Sequence, residues 1–141
     1  GPAAPELIRS LERSWLEQLQ AVLDEGCTPV LFSSRGELVC VSAQERRRFG
    51  LALAALMARL AAALAPQLGL IISKGGITTH TLLADGLELD WVELQGQLLP
   101  GLSVVLTPAD AKVPGLPVIT FPGNLGDVSG LRQAWRLMLS D

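Results

Sequence analysis

Hydrophobic and polar positions form two kinds of pattern along the chain, a helical spacing of three and four residues and short apolar runs, and together they predict an alternation of helices and strands. In residues 5–25 the apolar side chains recur at spacings of three and four, which places them on one face of an amphipathic helix. Charged residues fall on the other faces, and Gly26 ends the helix. The apolar face consists of Ile8, Leu11, Trp15, Leu19 and Val22. We interpret Trp15 as a core anchor of this helix.

A second helix is predicted from Ser42 to about residue 65. Ser42 and Glu45 have the spacing of a capping box, in which the serine caps the helix and the glutamate stands at its third position. The run 49–65 has a membrane-like composition, but it contains Arg59, ends at a proline and is at the lower limit of spanning length. A buried core helix is therefore the better prediction. Its apolar stripe contains Phe49, Leu53, Leu56, Met57, Leu60 and Leu64.

Short apolar runs bounded by turn residues predict the strands. One more helix is predicted at residues 77–85, with Gly86 as the residue that follows its end, and another near the C-terminus. The alternation of helices and strands predicts an α/β fold, a layered sandwich in which helices flank a mostly parallel or mixed sheet. The predicted strands span residues 29–33, 38–41, 69–72, 89–94, 103–107 and 118–121, with a turn at Pro100-Gly101. The last helix carries Leu131, Trp135, Met138 and Leu139 on one face.

Length and charge narrow the class of protein. The 141 residues are enough for one domain with a sizeable core. We interpret Gly1-Pro2 as a protease scar left by expression, and residues 3–141 as a single domain. The net charge of −3 argues against nucleic-acid binding, because no basic excess offsets the phosphates. We expect neither a nucleic acid nor a membrane among the partners.

The cysteines and the single histidine offer little chemistry of their own. Cys27 and Cys40 are too few for a disulfide scaffold, and with His80 they supply at most three zinc ligands of these types. We therefore predict no metal site formed by the protein, and a reducing, cytoplasmic compartment. His80 has no evident partner for catalysis, so a structural role or a place at the edge of a phosphate site is the better interpretation. No catalytic residue can be assigned from the sequence.

Candidate chemistry is concentrated where a predicted strand passes through a glycine pair into a helix. This arrangement directs backbone N–H groups, and the positive end of the helix dipole, at an anion. Glycines let the anion approach the backbone, a lysine adds a positive charge, and threonines add hydroxyls. The segment contains Lys74, Gly75, Gly76, Ile77, Thr78 and Thr79. It predicts a phosphate cradle; a tight turn with a solvated lysine is the alternative.

A second glycine turn follows the last predicted strand. Its residues include Gly123, Asn124, Gly126 and Asp127. The carboxyl ends of parallel strands lie at one edge of a sheet, so both turns are expected to line the same crevice. Neither turn matches the Walker or the dinucleotide fingerprint. Asp127 is interpreted first as the N-cap of the last helix, and otherwise as a carboxylate that orients Mg²⁺ through water.

Three segments occur in an order that resembles one family. They are residues 72–80, residues 97–101, and residues 117–127 with the run Phe-Pro-Gly-Asn-Leu-Gly-Asp. Together they resemble the C-terminal nucleotide-binding domain of the four-carbon acid sugar kinases, over roughly residue 29 to the C-terminus. The family uses ATP to phosphorylate threonate, erythronate or 3-oxo-tetronate type acids. The resemblance implies ATP with Mg²⁺ as the cofactors, a first ATP-contacting turn at Gly75 to Thr78, and a second at Gly123 to Gly126.

The resemblance also implies a missing part. Full-length members carry an N-terminal domain that binds the sugar acid, and no such domain precedes Leu7 here. We therefore expect nucleotide binding, but no kinase activity from this chain alone, since in-line transfer requires both substrates to be positioned. A non-catalytic module that senses nucleotide or phosphate is the alternative function. A structural domain with two tight turns is a third possibility.

Overall fold

The computed structural model describes residues 4–31, 42–99 and 102–121. Within them, helices precede and flank a four-stranded sheet. The helices are α1 (Ala4–Asp24), α2 (Ala43–Leu64), a 3-10 turn (Ala65–Gln67), α3 (Gly76–Thr81) and a π-helical segment (Leu82–Gly86) that continues α3. The strands are β1 (Ile71–Lys74), β2 (Glu93–Leu99), β3 (Leu102–Leu106) and β4 (Pro117–Phe121). The predicted layered α/β fold is confirmed.

The sheet is mixed, with strand order β1-β4-β3-β2. Only β1 and β4 pair in parallel, while the pairs β2–β3 and β3–β4 are antiparallel. The sheet is therefore not mostly parallel. The reason lies in the connections: only residues 100–101, the predicted turn, separate β2 from β3, and a parallel pair needs a crossover of about a dozen residues. These two residues lie outside the described ranges.

Several predicted boundaries shift in the structure. The strand predicted at 89–94 is mostly wrong, since β2 begins only at Glu93; Leu89 and Val92 instead pack against the core. Residues 29–31 form no strand, and the remainder of that prediction, with the strand at 38–41 and the last helix, lies outside the described residues. The two long helices begin and end within about one residue of their predicted limits.

Gly86 has a different role from the one predicted. It is buried inside the helix end rather than following it, and it does not have a positive φ. A Cβ on Gly86 would lie 2.9 Å from the carbonyl oxygen of Ala58 in α2. Glycine is therefore needed for close packing of two helices, and the prediction of a C′ residue is wrong.

The core lies between α2, the helix α3 with its π extension, and the sheet. Both faces of β4 are covered, because Val118 and Ile119 point to opposite sides of the sheet and both are fully buried. Burial on both faces explains why β4 is a continuous apolar run. The main cluster of buried residues is Ala58, Ala65, Leu82, Leu87, Val105, Leu116 and Val118.

Helix α1 lies alongside α2 and runs in the same direction. An ion pair joins Glu12 Oε1 to Arg59 Nε at 2.8 Å, and the side-chain amides of Gln20 and Gln67 exchange hydrogen bonds at 2.8 Å. In each pair the two residues are 47 positions apart in the sequence. Because this separation is the same at both contacts, the two segments run in the same direction. Trp15 is only half-buried, so it is not the predicted core anchor. The predicted apolar face is partly exposed at Ile8 and Leu11.

Helix α2 buries part of its predicted stripe. Leu56, Leu60 and Leu64 are buried, whereas Phe49 is exposed. Among the described residues, the stretch Arg47–Gln67 is the one long and apolar enough to cross a membrane by length and composition, and 33% of it is buried. Core helices of soluble proteins meet the same criteria of length and composition, so this stretch is weak evidence for a membrane-spanning helix.

Candidate functional site

The junction between β1 and α3 bends sharply at Gly75. Gly75 has φ 99° and ψ 139°, a conformation that residues with a side chain rarely adopt. It is the N-cap of α3, and its carbonyl oxygen accepts the first helical hydrogen bond, from the N–H of Thr79 at 3.0 Å. The glycine therefore turns the chain from the sheet into the helix within one residue.

The N–H of Gly75 is already engaged. It donates to the carbonyl oxygen of Phe121 at 2.8 Å, which extends the β1–β4 ladder by one bond. Gly75 is thus part of the predicted turn, but its amide faces β4 and not an open crevice. This division between the two adjacent glycines is a feature that sequence reasoning missed, because no local pattern specifies the acceptor on a distant strand.

The next three residues carry the amides that can face a ligand. Because the helical ladder begins at the N–H of Thr79, the N–H groups of Gly76, Ile77 and Thr78 have no acceptor inside the helix. The helix that follows runs without interruption from Gly76 through the π segment to Gly86. Its dipole places roughly half a positive charge at these amides. The arrangement can bind an anion through backbone donors.

Two residues of the junction carry polar side chains. Lys74 is exposed at the last position of β1, opposite Phe121 in the parallel pair. Thr78 leans back toward the bend, with its Oγ1 at 3.9 Å from where a Cβ on Gly75 would lie. The first group of predicted site residues therefore lies at the β1–α3 junction, and its contact with a ligand stays a prediction: Lys74, Gly75, Gly76, Ile77 and Thr78.

A hydroxyl pair lies beneath the bend. Ser73 Oγ and Thr79 Oγ1 share a hydrogen bond at 2.8 Å, and the Ser73 side chain belongs to a residue that is only 6% exposed. The pair links the strand before Gly75 to the helix after Gly76. Sequence reasoning treats Thr79 as a first-turn hydroxyl and gives Ser73 no role. The signal is a polar side chain at the end of an apolar strand.

The second predicted turn lies outside the described residues, including Gly123, Asn124, Gly126 and Asp127. The strand that precedes this turn, β4, is within the described residues. β4 ends at Phe121, beside the end of β1 and pointing in the same direction. The expected common edge of the two strands is therefore present, although these four residues stay predictions.

Among the described residues, no second junction leads from a strand through glycines into a helix. Across residues 4–31, 42–99 and 102–121, no group of three or more His, Cys, Asp or Glu side chains could hold a metal ion. His80 is exposed on α3. A shallow cavity of about 430 Å³ lies near the starts of β1 and β4, at the opposite edge of the sheet. Its lysine, Lys112, pairs with Glu88 at 3.7 Å.

The chain is similar to known proteins in sequence and in fold. A family model described as the nucleotide-binding C-terminal domain matches residues 4–131. No curated protein is similar enough to count as a match. In two crystal forms, a domain of unknown function (DUF1537) from Bordetella bronchiseptica, a domain-swapped dimer with bound citrate, has a similar fold.

These two structures are far larger than this chain. One is 22% identical with a TM-score of 0.63, and the alignment covers 86% of this chain and 30% of the other. The second is 21% identical with a TM-score of 0.62, and the alignment covers 89% and 30%. This chain therefore corresponds to 30% of the length of the structures it matches.

Proposed function

Since the chain belongs to the family of nucleotide-binding C-terminal domains, we propose that it is the ATP-binding domain of a sugar-acid kinase and that the β1–α3 turn holds the phosphates of ATP. Family membership confirms the resemblance drawn from the sequence. The nucleotide, the phosphate turn and the kinase reaction are the parts that we propose.

One observation carries the phosphate assignment: the amides of Gly76, Ile77 and Thr78 precede the first helical hydrogen bond, directly after the end of β1. In such a turn the backbone donors and the helix dipole act together on a negative charge. Lys74, exposed at the last position of β1, would add a positive charge next to the turn, and the Thr78 hydroxyl would add a donor.

The position of the turn in the sheet supports the same proposal. In open α/β sheets, ligands bind at the carboxyl ends of the strands. β1 and β4 end together at that edge, and the segment with Gly123, Asn124, Gly126 and Asp127 follows β4 in the sequence. We propose that this segment forms the other wall of the nucleotide site. Mg²⁺, when bound with ATP, would neutralise phosphate charge. Asp127, whose first interpretation is the N-cap of the last helix, is the carboxylate that would otherwise orient the ion through water.

For the reaction we propose phosphoryl transfer from ATP to a four-carbon sugar acid such as threonate or erythronate. Transfer of this kind depends on holding donor and acceptor in line. We propose that the β1–α3 turn holds the donor and that a sugar-acid-binding domain holds the acceptor. A direct assay compares transfer to threonate by this chain alone and by the chain joined to the sugar-acid-binding domain of a full-length family member. We expect product only from the joined protein.

The proposal of nucleotide binding is tested by isothermal titration calorimetry with ATP and Mg²⁺. The test variant is Gly76→Asp, which places a carboxylate among the amides and repels the phosphates. Like charges at close range cost several kcal/mol, so we expect the Kd to rise more than about 100-fold. Gly69→Asp is the matched control, because Gly69 is exposed at the other end of the strand and has open space around it.

Two results would contradict the proposal. One is the absence of binding heat from the wild-type chain at millimolar ATP. The other is equal affinity of Gly76→Asp and Gly69→Asp, which would place the nucleotide away from the turn. ATP binding without transfer by the joined protein would instead favour the alternative, a non-catalytic module that senses nucleotide.

A further inference from the structure

We propose that Ser73 and Thr79 are positioning residues for the phosphate turn, and that their mutual hydrogen bond sets the direction of the amides of Gly76, Ile77 and Thr78. The inference rests on the proposed function of that turn. It assigns a role to two side chains that would not touch the nucleotide themselves.

The geometry places the pair directly under the bend. Thr79 is held at two points: its N–H donates to the Gly75 carbonyl oxygen at 3.0 Å, and its hydroxyl is bonded to Ser73 at 2.8 Å. The first bond closes the first turn of the helix. The second ties that turn to the strand, because Ser73 pairs with Thr120 in the parallel ladder.

The three amides lie between these attachment points. On one side, Gly75 is fixed to β4 by its N–H bond to Phe121 at 2.8 Å. On the other side, Thr79 is fixed to β1 through Ser73. A segment of three residues fixed at both ends has little freedom to rotate its N–H groups. The hydroxyl pair therefore holds the turn in one arrangement before a ligand arrives, which lowers the cost of ordering it on binding.

A purely structural role for a buried hydroxyl has a matched example in the same chain. Thr107 is 1% exposed; its Oγ1 donates to the Val113 carbonyl at 2.6 Å and accepts from the Leu116 N–H at 2.7 Å. It organises the loop before β4, at the sheet edge opposite the phosphate turn. Thr107→Val removes a hydrogen-bonded threonine hydroxyl as Thr79→Val does, but far from the amides.

The experiment measures two quantities for each variant of the full chain: the urea midpoint of unfolding, and the Kd for ATP with Mg²⁺ by calorimetry. We expect Thr79→Val and Ser73→Ala each to raise the Kd about tenfold. We expect Thr79→Ser, which keeps the hydroxyl, to stay within about twofold of wild type. Thr107→Val should lower the midpoint while leaving the Kd within about twofold of wild type.

The double variant Ser73→Ala with Thr79→Val provides a second measure. Both substitutions remove the same hydrogen bond, so their effects on the Kd should not multiply. Ser73→Ala deletes a single oxygen and serves alone if a valine at position 79 prevents folding.

The possible outcomes separate this inference from the one on which it rests. If wild type and all variants bind ATP equally, the positioning role is overturned while nucleotide binding stands. An equal loss of affinity in Thr107→Val would also overturn it, because general destabilisation would then be the cause. A wild-type chain that binds no ATP overturns the proposed function itself, and this inference with it.

Discussion

Gly75 holds a backbone conformation that side chains disfavour, so its replacement should cost stability. At φ 99° an alanine would be strained although the nearest atom to its Cβ, Thr78 Oγ1, is 3.9 Å away. Strain of this kind costs about 1–3 kcal/mol. We therefore expect Gly75→Ala to lower the free energy of unfolding by this amount, measured by urea denaturation.

The control for this prediction is a glycine whose replacement by alanine should raise the free energy of unfolding. Gly50 lies inside α2, has open space around it and needs no positive φ. Gly50→Ala should raise the free energy of unfolding by about 0.5–1 kcal/mol, because alanine is the better helix former. A Gly75→Ala variant as stable as wild type would show that the bend tolerates a side chain.

Single residues also show how far the sequence alone can lead. A glycine pair between an apolar run and a helix-length segment predicts the first turn, because strand, turn and helix leave local signals. The separate roles of Gly75 and Gly76 have no local signal in the sequence. They arise from the bond between Gly75 and Phe121, whose residues are far apart in the sequence. The same holds for the bond between Ser73 and Thr79, which depends on the fold of the bend.

At the level of elements, the contact of Gly86 with α2 gives another prediction. In Gly86→Ala the new Cβ would lie 2.9 Å from the carbonyl oxygen of Ala58. This oxygen belongs to the backbone of α2, so it cannot move away as the end of a flexible side chain could. Overpacking costs about 1–3 kcal/mol, which outweighs the gain of up to about 1 kcal/mol from helix propensity. We expect a net loss of stability in urea denaturation, whereas Gly50→Ala gains. A rise in stability would indicate that the helices can separate without cost.

The elements differ in how well local patterns predict them. The limits of α1 and α2 follow from periodicity, a cap signal and breakers, all of which are encoded within a few residues. The sheet is harder, because pairing directions depend on contacts between distant segments. Residues 89–94 resemble a half-exposed strand, yet Leu89 and Val92, three residues apart, both pack against the core cluster from an irregular segment. In a strand, side chains at this spacing would point to opposite faces, so the local pattern does not show whether the backbone pairs.

For the whole molecule, nucleotide binding and folding stability are linked, which allows a test that needs no assumption about catalysis. A ligand that binds only the folded state at 100 times its Kd stabilises that state by about 2.7 kcal/mol. In a domain of this size each kcal/mol raises the Tm by roughly 2–4 °C. ATP with Mg²⁺ should therefore raise the Tm of the wild-type chain by roughly 5–11 °C at that concentration.

The variants make this shift specific to the turn. Gly69→Asp should show the wild-type shift, because its carboxylate lies at the opposite end of β1, whereas Gly76→Asp should show almost none at the same ATP concentration. The two substitutions change the net charge equally, so long-range electrostatics are matched and only the position differs. Differential scanning fluorimetry measures all three proteins together. An equal rise in Tm in both variants would mean that ATP binds elsewhere on the chain. The assignment of the phosphate site to the end of β1 would then be wrong.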